Sequence, residues 1–477
     1  MCHVANGCSS NANGSCSHAE GLETIANGTA SNSEGYRTTA NGEASHAEGS
    51  TNTAGGNASH TERYLTETTA DTAHAEGYDT TASGDASHAE GYLTMAGAPH
   101  AHAEGNQTSA TALDSHSEGQ LTSATNTAAH AEGISSIASG VASHAEGFNT
   151  NASGTSSHAE GVLTTASGSV GSHAEGVDST ASGFASHAEG LSTTASGDSS
   201  HAEGEGSVAS GLRSHAEGQS TTASGDASHA AGNNTVADSF VSYAGGDNTN
   251  TGGQTGAFII GQNATAAFPF SFHLGNGLAI GPTLNAVILD NAGNVRFDGA
   301  LIGPAGADYA EMFETLDGNS IEVGYLVTLE GGKIRKANAD DDYILGVTSA
   351  TPAMIAASAD LRWHKLFITD DWGRIQYHNV VVPEKRDEKG NILSPEYTKT
   401  EPILNPEYDS SKEYISRLLR PEWVAVGLLG QLLVRDDGTC LVNGYCKSND
   451  EGVASEATTG YRVMKRTGPN QIQILFK

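Results

Sequence analysis

Residues 143–154 read Ser-His-Ala-Glu-Gly-Phe-Asn-Thr-Asn-Ala-Ser-Gly, and near variants of this stretch recur through the first half of the 477-residue chain. The histidine position repeats every 14 residues from His18 to His229, with a single step of 15 residues into His173. Asn32 takes the position once, and fifteen of the 20 histidines of the chain take it in the other units. A fixed short period predicts a repeat architecture in which each unit stacks only on its neighbours.

Each unit contains two short motifs, Ser-His-Ala-Glu-Gly and Thr-Xaa-Ala-Ser-Gly, and each motif ends in glycine. Fourteen residues are too few for a helical hairpin, and Gly, Thr and Ser at fixed positions disfavour helix. Two strands of about four or five residues with two tight turns instead predict one coil of a parallel β-solenoid, with coils about 4.8 Å apart. The alanine between His and Glu, together with Thr and Ala of the second motif, is expected to fill the narrow interior.

The repeated units resemble the repeats of YadA-type heads, which are trimeric left-handed parallel β-rolls of adhesins and fibrous phage proteins. The usual core motif of that family is Ser-Val-Ala-Ile-Gly, so His stands here in place of Val, and Glu in place of Ile. The apolar form returns near the end of the repeats, as Ala-Phe-Ile-Ile-Gly at residues 257–261. The resemblance covers residues 15–280 and implies an all-β fold, a homotrimeric left-handed parallel β-roll.

One histidine and one glutamate recur in nearly every unit and form a candidate ladder along the repeats. Side-chain alternation places both on the face opposite the intervening alanine. A solvent-facing position has no physical need for the same two residues in every unit, so we expect this face to be buried near a three-fold axis, where His and Glu neutralise one another. Pairing with Glu would raise the pKa of each His. The ladder is represented by His88, Glu90, His144, Glu146, His187 and Glu189.

A combination of His and Glu is also a transition-metal ligand set, which is the alternative interpretation of this ladder. A structural polar ladder explains the uniform spacing without any ion. We therefore assign neither a metal nor a cofactor from the sequence.

The charge of the chain is strongly acidic, with 56 Asp and Glu against 23 Lys and Arg and a formal net charge of −33. Residues 1–280 contain 28 acidic residues, and their only lysine or arginine residues are Arg37, Arg63 and Arg213. Such a surface repels nucleic acid and anionic membranes, so we expect neither as a partner. The sequence shows no secretory signal and no apolar run of the roughly 20 residues that a membrane helix needs. We expect synthesis in the cytoplasm and a final location in a virion or outside the cell.

A second domain is predicted after Gly303-Pro304, where lysine, tryptophan and longer apolar runs appear. Residues 284–303 alternate around an Asp-Asn-Ala-Gly turn, which predicts a hairpin. The domain is expected to be mostly β, with one short helix from Ser411 to Leu419 that ends before Pro421. The predicted division is 1–283 for the repeat β-roll, 284–307 for a β neck and linker, and 308–477 for the C-terminal domain.

Residues 306–314, Gly-Ala-Asp-Tyr-Ala-Glu-Met-Phe-Glu, lie at the domain boundary. This segment resembles the opening of the autoproteolytic intramolecular chaperone domain found at the C-terminus of phage tail-spike and neck-appendage proteins, a glutamic-peptidase-type family. Residues 341–347, 421–430 and 460–464 extend the likeness, so that it covers nearly all of residues 304–477.

This second resemblance implies a domain that assists trimerisation and then cuts the chain between Ala307 and Asp308, with Asp308 and Glu311 as the required acids. Two carboxyl groups with separated pKa values can supply the base and the acid that amide hydrolysis needs. Glu311 would be the base and Asp308 the acid or orienting group. Some relatives have Ser at the position of Ala307, so either water attacks here or cutting is slow or abolished. The alternative is that both acids merely cap a turn.

Other candidates in the C-terminal region carry weaker signals. His364 and His378 have no ligand spacing and are predicted to be structural. The basic residues Lys333, Arg335 and Lys336 could meet an anion, but a solvated strand end is favoured.

The function predicted from these features is that of a structural trimeric fibre or appendage of a phage or prophage-like particle, with a host cell-surface receptor or glycan as partner. Any enzymatic activity would be single-turnover autoproteolysis in cis, with no activity in trans. One alternative is a tail-spike depolymerase, which usually needs an aromatic groove and an isolated carboxylate pair that the uniform repeats do not offer. The other is an adhesin on a bacterial or spore surface.

Overall fold

A computed structural model describes residues 4–277, 285–291, 293–297, 307–360, 363, 365–386, 392–394 and 396–477. The chain divides into two compact units, Met1–Ala300 and Leu301–Lys477, and each is described by itself. The predicted structural role of His364 and parts of the predicted neck fall outside the described residues. No helix in the described ranges has the length and apolar character needed to cross a membrane.

The first unit is a solenoid in which a longer and a shorter strand alternate. It begins with Val4–Asn6. The five-residue strands are His18–Leu22, Asn32–Tyr36, His46–Ser50, His60–Tyr64, His74–Tyr78, His88–Tyr92, His102–Asn106, His116–Gln120, His130–Ile134, His144–Phe148, His158–Val162, His173–Val177, His187–Leu191, His201–Glu205, His215–Gln219 and His229–Asn233. The two-residue strands are Asn11–Ala12, Ile25–Ala26, Thr39–Ala40, Thr53–Ala54, Glu67–Thr68, Thr81–Ala82, Met95–Ala96, Ser109–Ala110, Ser123–Ala124, Ile137–Ala138, Asn151–Ala152, Thr165–Ala166, Thr180–Ala181, Thr194–Ala195, Val208–Ala209, Thr222–Ala223 and Val236–Ala237.

All of these strands pair in parallel with the equivalent strand one unit away. His74 lies opposite His88, and Glu76 lies opposite Glu90. The predicted all-β fold with a parallel solenoid is therefore confirmed, whereas the trimer stays a prediction. The second strand has two residues rather than the expected four or five, because the chain turns directly after its alanine. A Cβ atom on the turn residue Gly140 would lie 1.9 Å from the carbonyl oxygen of Gly154, so the close stacking of these two coils favours glycine here, although other units carry Ala98, Ala112 and Asn126 at the equivalent position.

The interior of the solenoid is a column of small side chains. Ala145, Ala152 and their equivalents in other units have no exposed surface, and Thr150 is also buried. This confirms the expected filling by Ala and Thr. Near the end of the repeats Ile259 takes the position of the alanine, and it is among the largest fully buried side chains.

The last strands of the first unit leave the two-strand pattern. They are Tyr243–Asn250, Phe258–Thr265, Phe272–Asn276, Asn285–Leu289 and Val295–Phe297. The last two pair antiparallel with each other, as the alternation around the Asp-Asn-Ala-Gly turn indicated. In this turn the Asp290 carboxylate accepts hydrogen bonds from the backbone N–H of Asn294 at 2.9 Å and from Arg296 at 3.1 Å.

The second unit is built around one long strand, Trp423–Arg435. It pairs antiparallel with Asp308–Glu314, Gly346–Thr348 and Gln471–Phe476. The other strands are Leu326–Glu330, Lys333–Lys336, Met354–Ala356, Tyr377–Val382, Lys385–Arg386, Ile392–Ser394, Tyr397–Pro402, Tyr445–Ser448, Ala454–Ala457 and Tyr461–Gly468. Leu326, Val434, Ile472 and Ile474 are among the buried side chains of its core.

The helix predicted from Ser411 to Leu419 is wrong in extent. The structure has only a 3-10 helix, Arg417–Leu419, capped by the Ser416 hydroxyl, which accepts a hydrogen bond from the Leu418 N–H at 3.2 Å. Upstream, the Asp409 carboxylate accepts hydrogen bonds from the Ser411 N–H and hydroxyl at 3.0 and 2.6 Å. Such local side-chain bonds stabilise a turn in place of a helix.

Candidate functional site

The predicted cleavage site lies at the start of the strand Asp308–Glu314. Asp308 faces Gly430 of the long strand, and the register shifts between Tyr309 and Ala310. Asp308 is buried, with 7% of its surface exposed, and Ala310 on the same side of the strand is buried as well. The sequence places Asp308 here because Ala310 and Met312, two and four residues on, are the apolar positions that face the core.

Backbone hydrogen bonds hold the chain at the predicted scissile bond and at the peptide bond that follows it. The Ala307 carbonyl accepts a hydrogen bond from the Gln431 N–H at 3.2 Å, and the Asp308 carbonyl accepts one from the Ala353 N–H at 2.9 Å. Gly430 has a φ of +119°, and a Cβ atom there would lie 2.2 Å from the Ala307 carbonyl oxygen. Glycine at 430 therefore allows the long strand to approach the predicted scissile carbonyl.

A cavity of about 380 Å³ opens beside this bond. Its lining includes Ala307, Asp308, Ser349, Gln431 and Arg435. Asp308 Oδ2 is buried and makes no hydrogen bond to the part of the chain that the structure describes. The site therefore combines a polarised carbonyl, an unpaired carboxylate oxygen and room for water.

Glu311, the second predicted acid, lies on the other face of the strand. Its Oε1 accepts a hydrogen bond from the Tyr309 hydroxyl at 2.8 Å, and this bond raises the pKa of that hydroxyl. Tyr309, Glu311 and Phe313 share this half-buried face, whereas Asp308 points into the core. Within one chain the strand thus separates the two acids. Positions three apart in a strand face opposite sides, a signal that the sequence spacing already contained.

The basic residues of the strand Lys333–Lys336 each contact a partner side chain. Lys333 contacts Glu314 at 2.7 Å, and Arg335 contacts Asp341 at 2.8 Å. Lys336 Nζ lies 3.5 Å from the centre of the Tyr325 ring. These contacts favour the interpretation of the basic run as part of a strand rather than as an anion site. His378 Nε2 lies 3.8 Å from Glu401, across a strand pair.

The ladder of histidines forms a continuous stack from His46 to His229. Ring centres of adjacent histidines are 4.6–4.9 Å apart, and most ring planes are within a few degrees of parallel. His144 Nε2 lies 4.0 Å from Glu146, and His158 Nε2 lies 3.4 Å from the same carboxylate. In the single chain the side chains of His144 and Glu146 remain 35% and 32% exposed, so this face is half-buried.

The glutamates act to raise the pKa of these histidines, as expected, but in the single chain the net shift is downward. Burial lowers the pKa of His88, His144 and His187, and the neighbouring histidines of the stack lower it further. Hydrogen-bonding between successive carboxyl groups affects Glu more strongly: it raises the pKa of Glu132 to about 7 and lowers that of Glu146 to about 2. Successive carboxyl groups therefore perturb one another strongly, because the coil spacing is so short.

Two family models match the chain. Residues 262–472 match the Peptidase_G2, IMC autoproteolytic cleavage domain, and residues 174–197, 188–214 and 216–237 match the YadA head domain repeat. Both resemblances seen in the sequence are confirmed by these matches. The match to the cleavage domain begins well before Asp308, so the predicted scissile bond lies inside it.

Among known proteins, the chain is similar to the pre-neck appendage protein of Bacillus phage B103, with 36% identity over 191 residues, which are 39% of this chain and 21% of that protein. The pre-neck appendage protein of Bacillus phage phi29 is 37% identical over 173 residues, 35% of this chain and 19% of that protein. The putative phage-related protein YobO of Bacillus subtilis (strain 168) is 38% identical over 184 residues, 38% of this chain and 21% of that protein. The chain thus spans about a fifth of the length of these relatives.

Two solved structures are also similar. The crystal structure of the pre-mature bacteriophage phi29 gene product 12 aligns with 96% of this chain and 67% of its own, at 19% identity and a TM-score of 0.47. The structure of the C-terminal fragment of the same gene product aligns with 36% of this chain and all of its own, at 36% identity and a TM-score of 0.29.

Proposed function

We propose that this chain is an appendage protein of a phage or prophage-like particle and that it processes itself by cutting the bond between Ala307 and Asp308. The match of residues 262–472 to an autoproteolytic cleavage domain carries the proposal, since that match spans the bond. Similarity to pre-neck appendage proteins supports the virion location.

The environment of the bond supports hydrolysis by water. Ala307 has no hydroxyl, so a water molecule adds its oxygen to the Ala307 carbonyl carbon, where the Gln431 N–H stabilises the developing negative charge. The C–N bond then breaks, and a proton passes to the Asp308 nitrogen, which leaves as an amine, while the proton released by the water replaces it on the donor carboxyl. The buried Asp308 carboxyl is the acidic group next to this nitrogen, and it is assigned the proton transfer.

Trimerisation is the second part of the proposal. The polar ladder is half-buried in one chain and carries carboxylates with few cations nearby, and a three-fold arrangement would remove it from water and bring further histidines to the glutamates. The outer surface of the repeats would then be left for contact with a host cell-surface receptor or glycan. The repeats also carry exposed, stacked aromatic side chains at Tyr64, Tyr78 and Tyr92.

The test of self-cleavage is the intact mass of freshly purified and aged protein, with a denaturing gel beside it. Wild type is expected to yield two fragments, residues 1–307 and 308–477, and Asp308→Asn is expected to remain a single chain. Asp317→Asn is the matched control, because Asp317 is an exposed aspartate in the same unit. Fragments that end at another bond, or equal cutting in Asp308→Asn, would refute the assignment.

If the wild-type chain stays full-length, the residue at position 307 is tested next. Ala307→Ser then restores the hydroxyl found in some relatives. Cutting at 307 in that variant supports the assignment of the bond, whereas an uncut variant counts against it.

A further inference from the structure

The stacked histidines of the repeats present a continuous row of nitrogen atoms without hydrogen-bond partners. These Nε2 atoms are buried and make no hydrogen bond to the described residues. They belong to His46, His60, His74, His88, His102, His116, His130, His144, His158, His173, His187, His201 and His215. A buried polar atom without a partner is costly, so a ladder that repeats it in every coil calls for something that satisfies it.

Glutamate oxygens lie close to the same atoms. Glu189 contacts His187 at 3.9 Å and His201 at 3.7 Å, so one carboxylate bridges two successive imidazoles. In each such group of two histidines and one glutamate, the candidate ligand atoms lie within 4.8 Å of one another. The arrangement repeats along the ladder, for example at His46, Glu48 and His60.

We propose that this ladder is a linear array of binding sites for divalent transition-metal ions such as Zn²⁺, each held by two histidines of adjacent coils and the glutamate between them. The inference rests on side chains of one chain and does not depend on self-cleavage. The repeat pattern alone can be explained without an ion; the unpartnered histidine nitrogens are the reason to add one.

The donor set selects the class of metal. Imidazole nitrogen with carboxylate oxygen suits Zn²⁺, Ni²⁺ or Cu²⁺, whereas Ca²⁺ and Mg²⁺ prefer oxygen ligands alone. Zn²⁺ binds such ligands at about 2.1 Å. The stacked rings are nearly parallel, so their nitrogen lone pairs do not converge, and binding requires adjacent imidazoles to turn toward a shared ion as well as a shift of each ligand atom by less than about 1 Å.

The charge of the ladder sets the stoichiometry. A neutral imidazole has one nitrogen lone pair for a metal, so overlapping groups cannot all be filled and about one ion binds for every two units. Two units carry two ladder glutamates, whose charge one divalent ion neutralises. The groove lined by Glu76, Glu90, Glu104 and Glu118 needs such a cation, since Arg63 is the one cationic side chain among the described residues that line it.

Proton sharing between successive glutamates is the competing way to reduce the charge. It requires no metal and leaves the histidine nitrogens without partners. The arrangement of the histidines, rather than their number, separates the two explanations, because only metal binding needs adjacent pairs.

The test compares two variants with seven histidines replaced by asparagine, which the chain itself carries at this position in Asn32. In the alternating variant no two ladder histidines from His46 to His229 remain adjacent; its substitutions are His60→Asn, His88→Asn, His116→Asn, His144→Asn, His173→Asn, His201→Asn and His229→Asn. In the block variant an uninterrupted set of seven histidines remains; its substitutions are His46→Asn, His60→Asn, His74→Asn, His88→Asn, His102→Asn, His116→Asn and His130→Asn. The two variants have the same composition.

Full-length protein without a polyhistidine tag is stripped with a chelator, loaded with Zn²⁺ and desalted, and its zinc content is measured by atomic emission. Wild type is expected to retain about one ion per two units, the block variant about half as much, and the alternating variant almost none. No retained zinc in wild type, or equal zinc in the two variants, would overturn the proposal.

A measurement on wild type alone guards against misfolded variants. The same protein loaded with Co²⁺ is expected to show visible absorption bands that saturate at the zinc stoichiometry and disappear when Zn²⁺ is added. A Co²⁺ spectrum indistinguishable from that of the aqueous ion would count equally against the array.

Discussion

At the scale of single residues, Gly430 controls the approach of the long strand to the predicted scissile bond. Its φ is positive, and a Cβ atom on it would lie 2.2 Å from the Ala307 oxygen, so there is no room for a side chain. We predict that Gly430→Ala lowers the free energy of unfolding by about 1–3 kcal/mol and slows self-cleavage, because the hydrogen bond from Gln431 to Ala307 is displaced. Denaturant unfolding and intact mass measure the two effects.

Gly438→Ala is the control for this prediction. Gly438 also has a positive φ, +93°, but nothing lies within 4 Å of its Cβ position. It therefore reports the backbone strain alone. Equal effects of both substitutions on cleavage would show that the close approach at Gly430 does not matter.

At this scale the sequence predicted which residues lie near the bond better than it predicted which side chains they contact. Asp308 lies beside the predicted bond, but Glu311 was expected to join it and instead bonds to Tyr309 on the opposite face. The spacing of three between the two acids already implied opposite faces if this segment is a strand. That it is a strand is set by its pairing with Trp423–Arg435, a segment more than a hundred residues away.

At the scale of the repeated element, the short coil spacing makes like side chains interact most strongly. The 14-residue period was sufficient to predict the parallel solenoid and its alanine interior. The direction of the histidine pKa shift was not predicted, because it depends on ring stacking at 4.8 Å and on partial burial that a period does not reveal.

This spacing gives a pH prediction. The raised pKa of Glu132, about 7, means that the protonated carboxyl stabilises the fold at low pH, and that this stability is lost as pH rises from about 4.5 to about 7. Glu132→Gln keeps a neutral side chain at all pH values. We therefore predict, for the metal-free protein, a smaller fall of Tm between pH 5 and pH 8 in this variant than in wild type.

The histidines act in the opposite direction, since a lowered pKa makes the folded state lose stability as pH falls through about 6.5. Glu132 also lies 3.7 Å from His144 Nε2, so the difference between the two Tm profiles reports the carboxyl pair together with this one histidine contact. Glu205→Gln is the control, because Glu205 is exposed and follows the ladder positions in its strand. Parallel profiles for wild type and Glu132→Gln would contradict proton sharing.

At the scale of the whole molecule, the separation of Asp308 and Glu311 allows the proposed trimer to be tested by self-cleavage between copies. If Glu311 serves as the base, it reaches the bond of a neighbouring copy rather than its own. We predict that Glu311→Gln alone stays uncut and is cut when it is co-expressed with Asp308→Asn, which supplies an intact Glu311. A size tag on one variant identifies the cut chain by mass.

The expected product comes only from the Glu311→Gln chain, because the other chain lacks Asp308 at its own bond. Cutting of neither chain in mixed trimers, together with active wild type, would show that Glu311 does not act between copies. Analytical ultracentrifugation of the mixture verifies that the trimers form.

The single 15-residue unit shows what the parallel register permits over evolutionary time. The extra residue is accommodated near Gly171, and the stack from His158 to His173 keeps its 4.8 Å spacing. A gene that gains or loses 42 nucleotides would therefore lengthen or shorten this part of the protein by one coil without rotating any face out of line. The length of the repeat region is therefore set by the number of its units. Unequal recombination can change this number while every remaining unit keeps the same chemistry.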